Sequence, residues 1–426
     1  MLLALALVVA ACGAGDDDDE TEGTQATTAD GTTETTGAAA GPPEAAAGFD
    51  GTTIRLGVLT PQTGLASLIG IPLTAGNQVY FDQLNDAGGV AGQYQVELVL
   101  EDTEYVADIA VQAYNKTKGD VVMYTQVLGT DVTNAVLPQM KRDRKVASPA
   151  TLDAEWVLEE TLLPVASPYQ VQMMNGADWY FTEGGGEGQT ACAIIQNDGY
   201  GEAGLEGVEA AAEAQGFEVA TVARYELGAP DMTAQIQQLI DNNCEVVFAT
   251  TLASDTSKVF GKAAELGFAA TWLLQTPGWL GQFVGTGLVD YLEANVFVLS
   301  QGGPAWGDTS VPGMANMLSA IEQYKPDQGP DFYFAFGYLQ AQTVHALLEK
   351  AVELGDLSED GILAALEQLG TVSYDGLMSE YVYGPVGERN PPRDTSINAV
   401  DRAGPWGWSQ VVANYESDTA AEYEFG

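Results

Sequence analysis

From Thr53 onward the chain alternates short apolar runs with longer stretches of helical period, and it does so in two successive rounds. In the first, residues 54–60, 94–101, 121–128 and 146–150 read as strands, with helices over 73–87, 107–118 and 133–144 between them. Gly88-Gly89 is expected to end the first helix, because glycine tolerates the left-handed backbone that closes one. The second round places a helix over 169–182, strands over 191–196, 218–225, 245–251 and 271–275, and helices over 203–214 and 254–266. A further helix is expected to open at Asp231 as its N-cap and to run to Asn242. Strands separated by helices return to the same sheet edge and lie parallel, with helices on both faces. The pattern therefore predicts an α/β protein of two doubly wound, Rossmann-like lobes. Ligands of such sheets sit beyond the carboxyl ends of the strands. Two lobes facing each other would place those ends in a shared cleft.

The charge balance excludes one class of partner. Lys and Arg number 15 against 60 Asp and Glu, a formal net charge of −45. Nucleic-acid binding needs a basic footprint, so no nucleic-acid partner is expected. The acidity reads as a solubility device spread over the surface, with attraction of cations as the alternative. At 46% hydrophobic residues the chain can still bury a sizeable core, and 426 residues leave room for two domains and a tail.

The tail has its own signature. Residues 1–11 are apolar, but the run is shorter than the about 20 residues that span a bilayer. It ends in Val9-Ala10-Ala11-Cys12-Gly13, which resembles the lipobox of bacterial lipoproteins, whose cysteine becomes the lipidated first residue. The usual basic start is missing, so the true start codon is expected elsewhere. Residues 1–12 are thus read as a lipoprotein signal peptide, and 13–51 as a disordered acidic linker with too little apolar surface to fold.

Beyond Cys12, two cysteines remain. Cys192 and Cys244 each begin an apolar run, and in an exported protein an even pair suggests a disulfide. If the runs are neighbouring parallel strands, their starts are adjacent and a bridge is geometrically possible. Two buried free thiols are the alternative.

No catalytic constellation stands out. The single histidine, His345, falls in an apolar helical stretch, which excludes a Ser-His-Asp triad and a multi-histidine metal site. Gly184-Gly-Gly-Glu-Gly188 lies between a helix and a strand, the wrong order for a dinucleotide fingerprint. No catalytic residue, cofactor or metal is expected.

Several segments together resemble one family. Ile54-Arg-Leu-Gly-Val-Leu-Thr-Pro-Gln-Thr-Gly64, Asn85-Asp-Ala-Gly-Gly-Val-Ala-Gly92, Glu101-Asp102, Ser148-Pro-Ala-Thr151, Asp198-Gly-Tyr-Gly-Glu-Ala-Gly204 and, more loosely, Phe336-Gly-Tyr-Leu-Gln-Ala341 keep the order and spacing of the Leu/Ile/Val-binding family of type I periplasmic binding proteins. The resemblance implies an extracytoplasmic, lipid-anchored receptor of an ABC importer. It would act as a monomer, close its lobes on an amino acid or related small polar solute, and deliver it to permease subunits. A ligand-sensing subunit docking on a membrane signalling receptor is the alternative.

Carried over residue by residue, the family pattern assigns the solute's carboxylate to the loops Gly129-Thr130 and Ala150-Thr151, and a covering ring to Tyr200. Thr251 and Thr276 follow strands of the second lobe, and Trp279 is expected to cover an apolar or planar part of the ligand. Trp306 and Tyr338 read as hinge or core residues. The loop that in the family carries an acidic partner for the ammonium here reads Gln275-Thr-Pro-Gly-Trp279, without a carboxylate; Asp131 and Asp255 are the nearest substitutes. The resemblance also implies a hinge of three strands, through Pro164–Pro168, Gly302–Pro304 and a later return. It gives lobe 1 as 52–167 with 304–373, and lobe 2 as 168–303 with 374–426.

Overall fold

The computed structural model describes residues 43–425. Cys12, the lipobox and most of the linker lie outside the described residues. The predicted end of the linker moves: Phe49, its one large apolar residue near the boundary, is buried against Tyr94 with ring centroids 5.2 Å apart. Arg55 N–H donates to Gly48 O at 2.8 Å, so residues before 51 are already tied to the first strand.

Lobe 1 begins with β1 (Thr53–Thr60), α1 (Ser67–Asp86), β2 (Gln95–Asp102), α2 (Ala107–Thr117), β3 (Met123–Leu128), α3 (Thr130–Asp143) and β4 (Ala147–Ala150). Its strands lie parallel in the order β2-β1-β3-β4. Lobe 2 follows with α4 (Tyr169–Thr182), β5 (Ala191–Gln196), α5 (Gly199–Gln215), β6 (Val219–Tyr225), α6 (Thr233–Asp241), β7 (Val246–Thr250), α7 (Ala253–Glu265), β8 (Thr271–Gln275), α8 (Val289–Asn295) and β9 (Val296–Gln301). The order β6-β5-β7-β8-β9 repeats the winding of lobe 1, with the strand order reversing beside the first strand in each.

After β9 the chain returns to lobe 1 for α9 (Pro312–Tyr324), α10 (Phe332–Leu354), α11 (Glu359–Glu367) and a short hairpin of β10 (Thr371–Val372) and β11 (Tyr381–Val382). It then re-enters the larger sheet through β12 (Thr395–Val400) and β13 (Trp408–Tyr415), antiparallel to β9 and to each other, and ends in α12 (Asp418–Glu422). The chain thus crosses between lobes three times: between β4 and α4, after β9, and between β11 and β12. Tyr374, Leu377, Tyr381 and Tyr383 share one buried cluster with α1 and α10, so the side chains of the hairpin pack with lobe 1. Helices α1 and α10 approach closely at two glycines, since a Cβ on Gly76 would lie 2.1 Å from Phe334 O and one on Gly337 1.9 Å from Leu73 O.

Three helices start earlier than periodicity suggests, at Ser67, Thr130 and Gly199. Their first turns carry glycine, proline and polar residues, which hide the apolar period. At α6 the correction runs the other way: Met232 occupies the cap position and Asp231 instead accepts the Thr233 hydroxyl at 2.9 Å. Cys192 and Cys244 form a disulfide with Cα atoms 5.8 Å apart, at the amino ends of neighbouring strands β5 and β7. Among the described residues no helix is long and apolar enough to cross a membrane.

Candidate functional site

Strands of both lobes point their carboxyl ends at one cavity, whose empty space, open solvent at its mouth included, is about 570 Å³. On the lobe 1 side, β3 runs through Leu128 into Gly129 and the start of α3 at Thr130, and β4 ends in Ala150 and Thr151; all five line the cavity. Gly129 has φ 109°, and a Cβ there would meet the Tyr105 ring at 2.5 Å, so glycine is required both by the turn and by the approach. Thr130 Oγ1 and Thr151 Oγ1 are 2.6 Å apart and buried. No side chain caps α3. Its opening N–H groups lack helical partners, and the positive end of its dipole faces this wall.

Lobe 2 contributes Tyr169 at the start of α4, Tyr200 in the first turn of α5, Leu252, Thr276 and Pro277. Tyr169 and Tyr200 meet edge to face with centroids 4.9 Å apart. The Tyr200 hydroxyl is buried without a hydrogen-bond partner. Helix α10 of lobe 1 adds Phe332, Tyr333 and Phe336. The Tyr333 hydroxyl lies 2.7 Å from both Thr276 O and Trp279 O, a donor already committed to backbone. Burial pushes the phenols of Tyr105, Tyr200 and Tyr333 well above the usual tyrosine range, so they remain neutral.

Six of the sequence-selected residues thus meet at this cavity: Gly129, Thr130, Ala150, Thr151, Tyr200 and Thr276. Thr276 shows only part of itself, because its hydroxyl donates to Leu299 O at 2.6 Å. Thr251 and Trp279 stand apart. The Thr251 hydroxyl turns to Thr256 Oγ1 at 2.6 Å, at the start of α7. Trp279 is buried, donates from Nε1 to Trp406 O at 2.9 Å and packs edge-on against Phe283. The two candidate carboxylates are engaged elsewhere as well. Asp255 accepts from Gly228 N at 2.8 Å and pairs with Lys258 at 2.6 Å. Asp131 accepts from Gly199 N at 3.1 Å, a contact between the lobes. Sequence reasoning missed Tyr105, Tyr169 and the aromatic start of α10; the cluster Phe332-Tyr-Phe-Ala-Phe336 was the available signal.

Among the described residues the cavity wall carries no Asp, Glu, Lys, Arg or His. Two threonine hydroxyls, a helix start and neutral phenols can hold a hydrogen-bond acceptor, and the remaining aliphatic and aromatic wall can hold an apolar body. Just behind Thr151, burial pushes the Asp153 carboxyl up to about 6 although Gln170 Nε2 donates to it at 2.9 Å.

A family model described as periplasmic binding protein matches residues 53–401. Among solved structures, a fatty acid ABC transporter substrate-binding protein from Thermomonospora curvata superposes with a TM-score of 0.82 at 24% identity, covering 90% of this chain and 97% of that one. A branched chain amino acid ABC transporter protein from Thermus thermophilus with bound valine gives 0.74 at 17%, covering 88% and 99%. A leucine binding protein from Thermotoga maritima gives 0.68 at 16%, covering 85% and 99%. No curated protein matches the sequence. With the family model spanning most of the chain and two equally wound lobes closing on one cavity, the protein belongs to the periplasmic binding protein family with the type I fold.

Proposed function

We propose that this protein is the substrate-binding component of an ABC importer and that it captures an apolar monocarboxylate rather than an α-amino acid. The observation that carries the reading is the cavity wall: hydroxyls and an uncapped helix start at one end, aliphatic and aromatic surface elsewhere, and no ionisable side chain but tyrosine. A carboxylate is served by neutral donors and the α3 dipole. An ammonium has no acceptor of opposite charge, and burying it unpaired is costly. The fatty acid named for the Thermomonospora curvata relative is a ligand of this kind, whereas the valine and leucine of the other two are not. In this reading the protein works outside the cytoplasm as a monomer, with Cys12 as the lipid-bearing residue and residues 13–51 as its tether.

Calorimetric titration of the full chain with octanoate, norleucine and leucine tests it. Octanoate is expected to bind and norleucine to bind at least about tenfold more weakly, the factor that 1.4 kcal/mol represents. Leucine or norleucine binding as tightly as octanoate overturns the reading.

A further inference from the structure

A second cavity, of about 770 Å³, adjoins the cleft. Phe332 and Gln301 line both, so these two side chains form the shared wall. Beyond them the wall is uncharged but mixed, with Ser300, Ser396, Asn398, Ser409 and Gln410 on one part of it and aromatic and aliphatic groups on the rest. Trp306 and Trp406 meet at 5.8 Å between centroids, and Phe332 lies 5.8 Å from both Trp406 and Trp408. Met314 and Leu339 add aliphatic surface from α9 and α10. The second cavity, like the first, has no Asp, Glu, Lys, Arg or His on its wall among the described residues. In a chain with 60 acidic residues, two adjoining cavities have walls free of carboxylates, divided only by Phe332 and Gln301.

The dividing ring is held by its neighbours rather than by its helix. Phe332 is the first residue of α10 and only half-buried. Side chains inside a helix are restricted by the preceding turn. At the first position there is no such turn, so the helix itself does not fix the ring, which is held by its edge contacts with Trp406 and Trp408.

We infer that the second cavity receives the tail of the ligand, so that the captured acid is an elongated one whose chain passes Phe332 and lies against Trp306 and Trp406. This rests on the monocarboxylate reading and extends it to a ligand class: unbranched acids too long for the cleft alone. The carboxylate stays at Thr130 and Thr151, and each methylene that enters the second cavity leaves water for the ring faces of Trp306 and Trp406.

Titration of the full chain with straight saturated acids from butanoate to hexadecanoate tests the inference, alongside Ala335→Phe, which adds a ring to the wall of the second cavity and leaves the first untouched. The wild type is expected to gain about fourfold in affinity per methylene, ~0.8 kcal/mol, on past the length at which Ala335→Phe stops gaining. The shortest acids should bind both proteins alike. As a readout independent of that variant's folding, a long acid brominated at its far end should quench the tryptophan fluorescence of the wild type, and less so in Trp306→Phe. If affinity levels off at the same length in both proteins, or if a bound bromo-acid leaves the fluorescence unchanged, the inference fails while the carboxylate site stands. If no acid of any length binds, the monocarboxylate reading fails and takes the inference with it.

Discussion

Thr130 Oγ1 and Thr151 Oγ1 lie 2.6 Å apart, one at the first turn of α3 and the other just past the end of β4. One hydroxyl donates to the other, and the second proton is shared between the neighbouring Tyr169 hydroxyl and a ligand. Thr130→Ala and Thr151→Ala are each expected to weaken carboxylate binding about tenfold, and the double variant by less than the product, because both belong to one hydrogen-bonded unit. Titration calorimetry of the three variants checks this. Full additivity would mean that the pair does not act on the ligand together.

Tyr200 carries a buried hydroxyl with no partner. An unsatisfied buried polar group costs about 1–3 kcal/mol. Tyr200→Phe should therefore raise the melting temperature of the ligand-free protein while lowering ligand affinity about tenfold, opposite signs that a purely structural tyrosine would not give. Unchanged affinity would remove Tyr200 from the site.

Asp153 sets a pH dependence. Burial raises its folded pKa from an ordinary 3.8 to about 6, so the folded state holds the proton more tightly than the unfolded one. The stability this gives is fully present below about 4 and is lost as the pH rises through about 6. Asp153→Asn keeps an oxygen for the Gln170 amide and the Glu155 N–H, and removes the charge. It is expected to be more stable than wild type at pH 8, by at most about 3 kcal/mol, and equal to it near pH 4. Denaturant midpoints across that range measure it; a wild-type advantage at pH 8 would reverse the assignment.

The Cys192–Cys244 bridge closes a sequence separation of 52 residues. Restricting an unfolded loop of that length is worth about 4 kcal/mol. Cys192→Ser with Cys244→Ser should lower unfolding stability by about that amount, yet leave ligand affinity within about twofold, because the bridge sits at the strand ends opposite the cleft. Urea unfolding and calorimetry on one preparation separate the two effects.

Much of the fold was legible because its strands are short, apolar and evenly separated by helices, which leaves little choice of topology. Helix starts were less so, since Gly199, Gly201 and Gly204 in α5 and Pro72 in α1 interrupt the periodic signal where the structure continues the helix. Within the site, Thr130 and Thr151 could be chosen from their position after strands. Thr251 occupies an equivalent position, but its hydroxyl turns inward to Thr256, and strand period does not report which way a loop side chain turns. Phe332, Tyr333 and Phe336 reach the cavity from a helix some two hundred residues further along, a proximity that only the return crossing after β9 creates.

The Asp131 carboxylate receives the first N–H of α5, from Gly199, across the gap between lobes. A contact of this kind supports whichever arrangement of the lobes brings the two groups together. Apparent affinity rises with the fraction of molecules already in the binding-competent form, so the contact tightens capture. The same support shrinks the difference that a guest makes to the molecule's shape, because a ligand shifts an equilibrium only by its differential affinity for the two states. An exposed hydrogen bond of modest net worth thus contributes to how far the outer surface changes when the cleft fills.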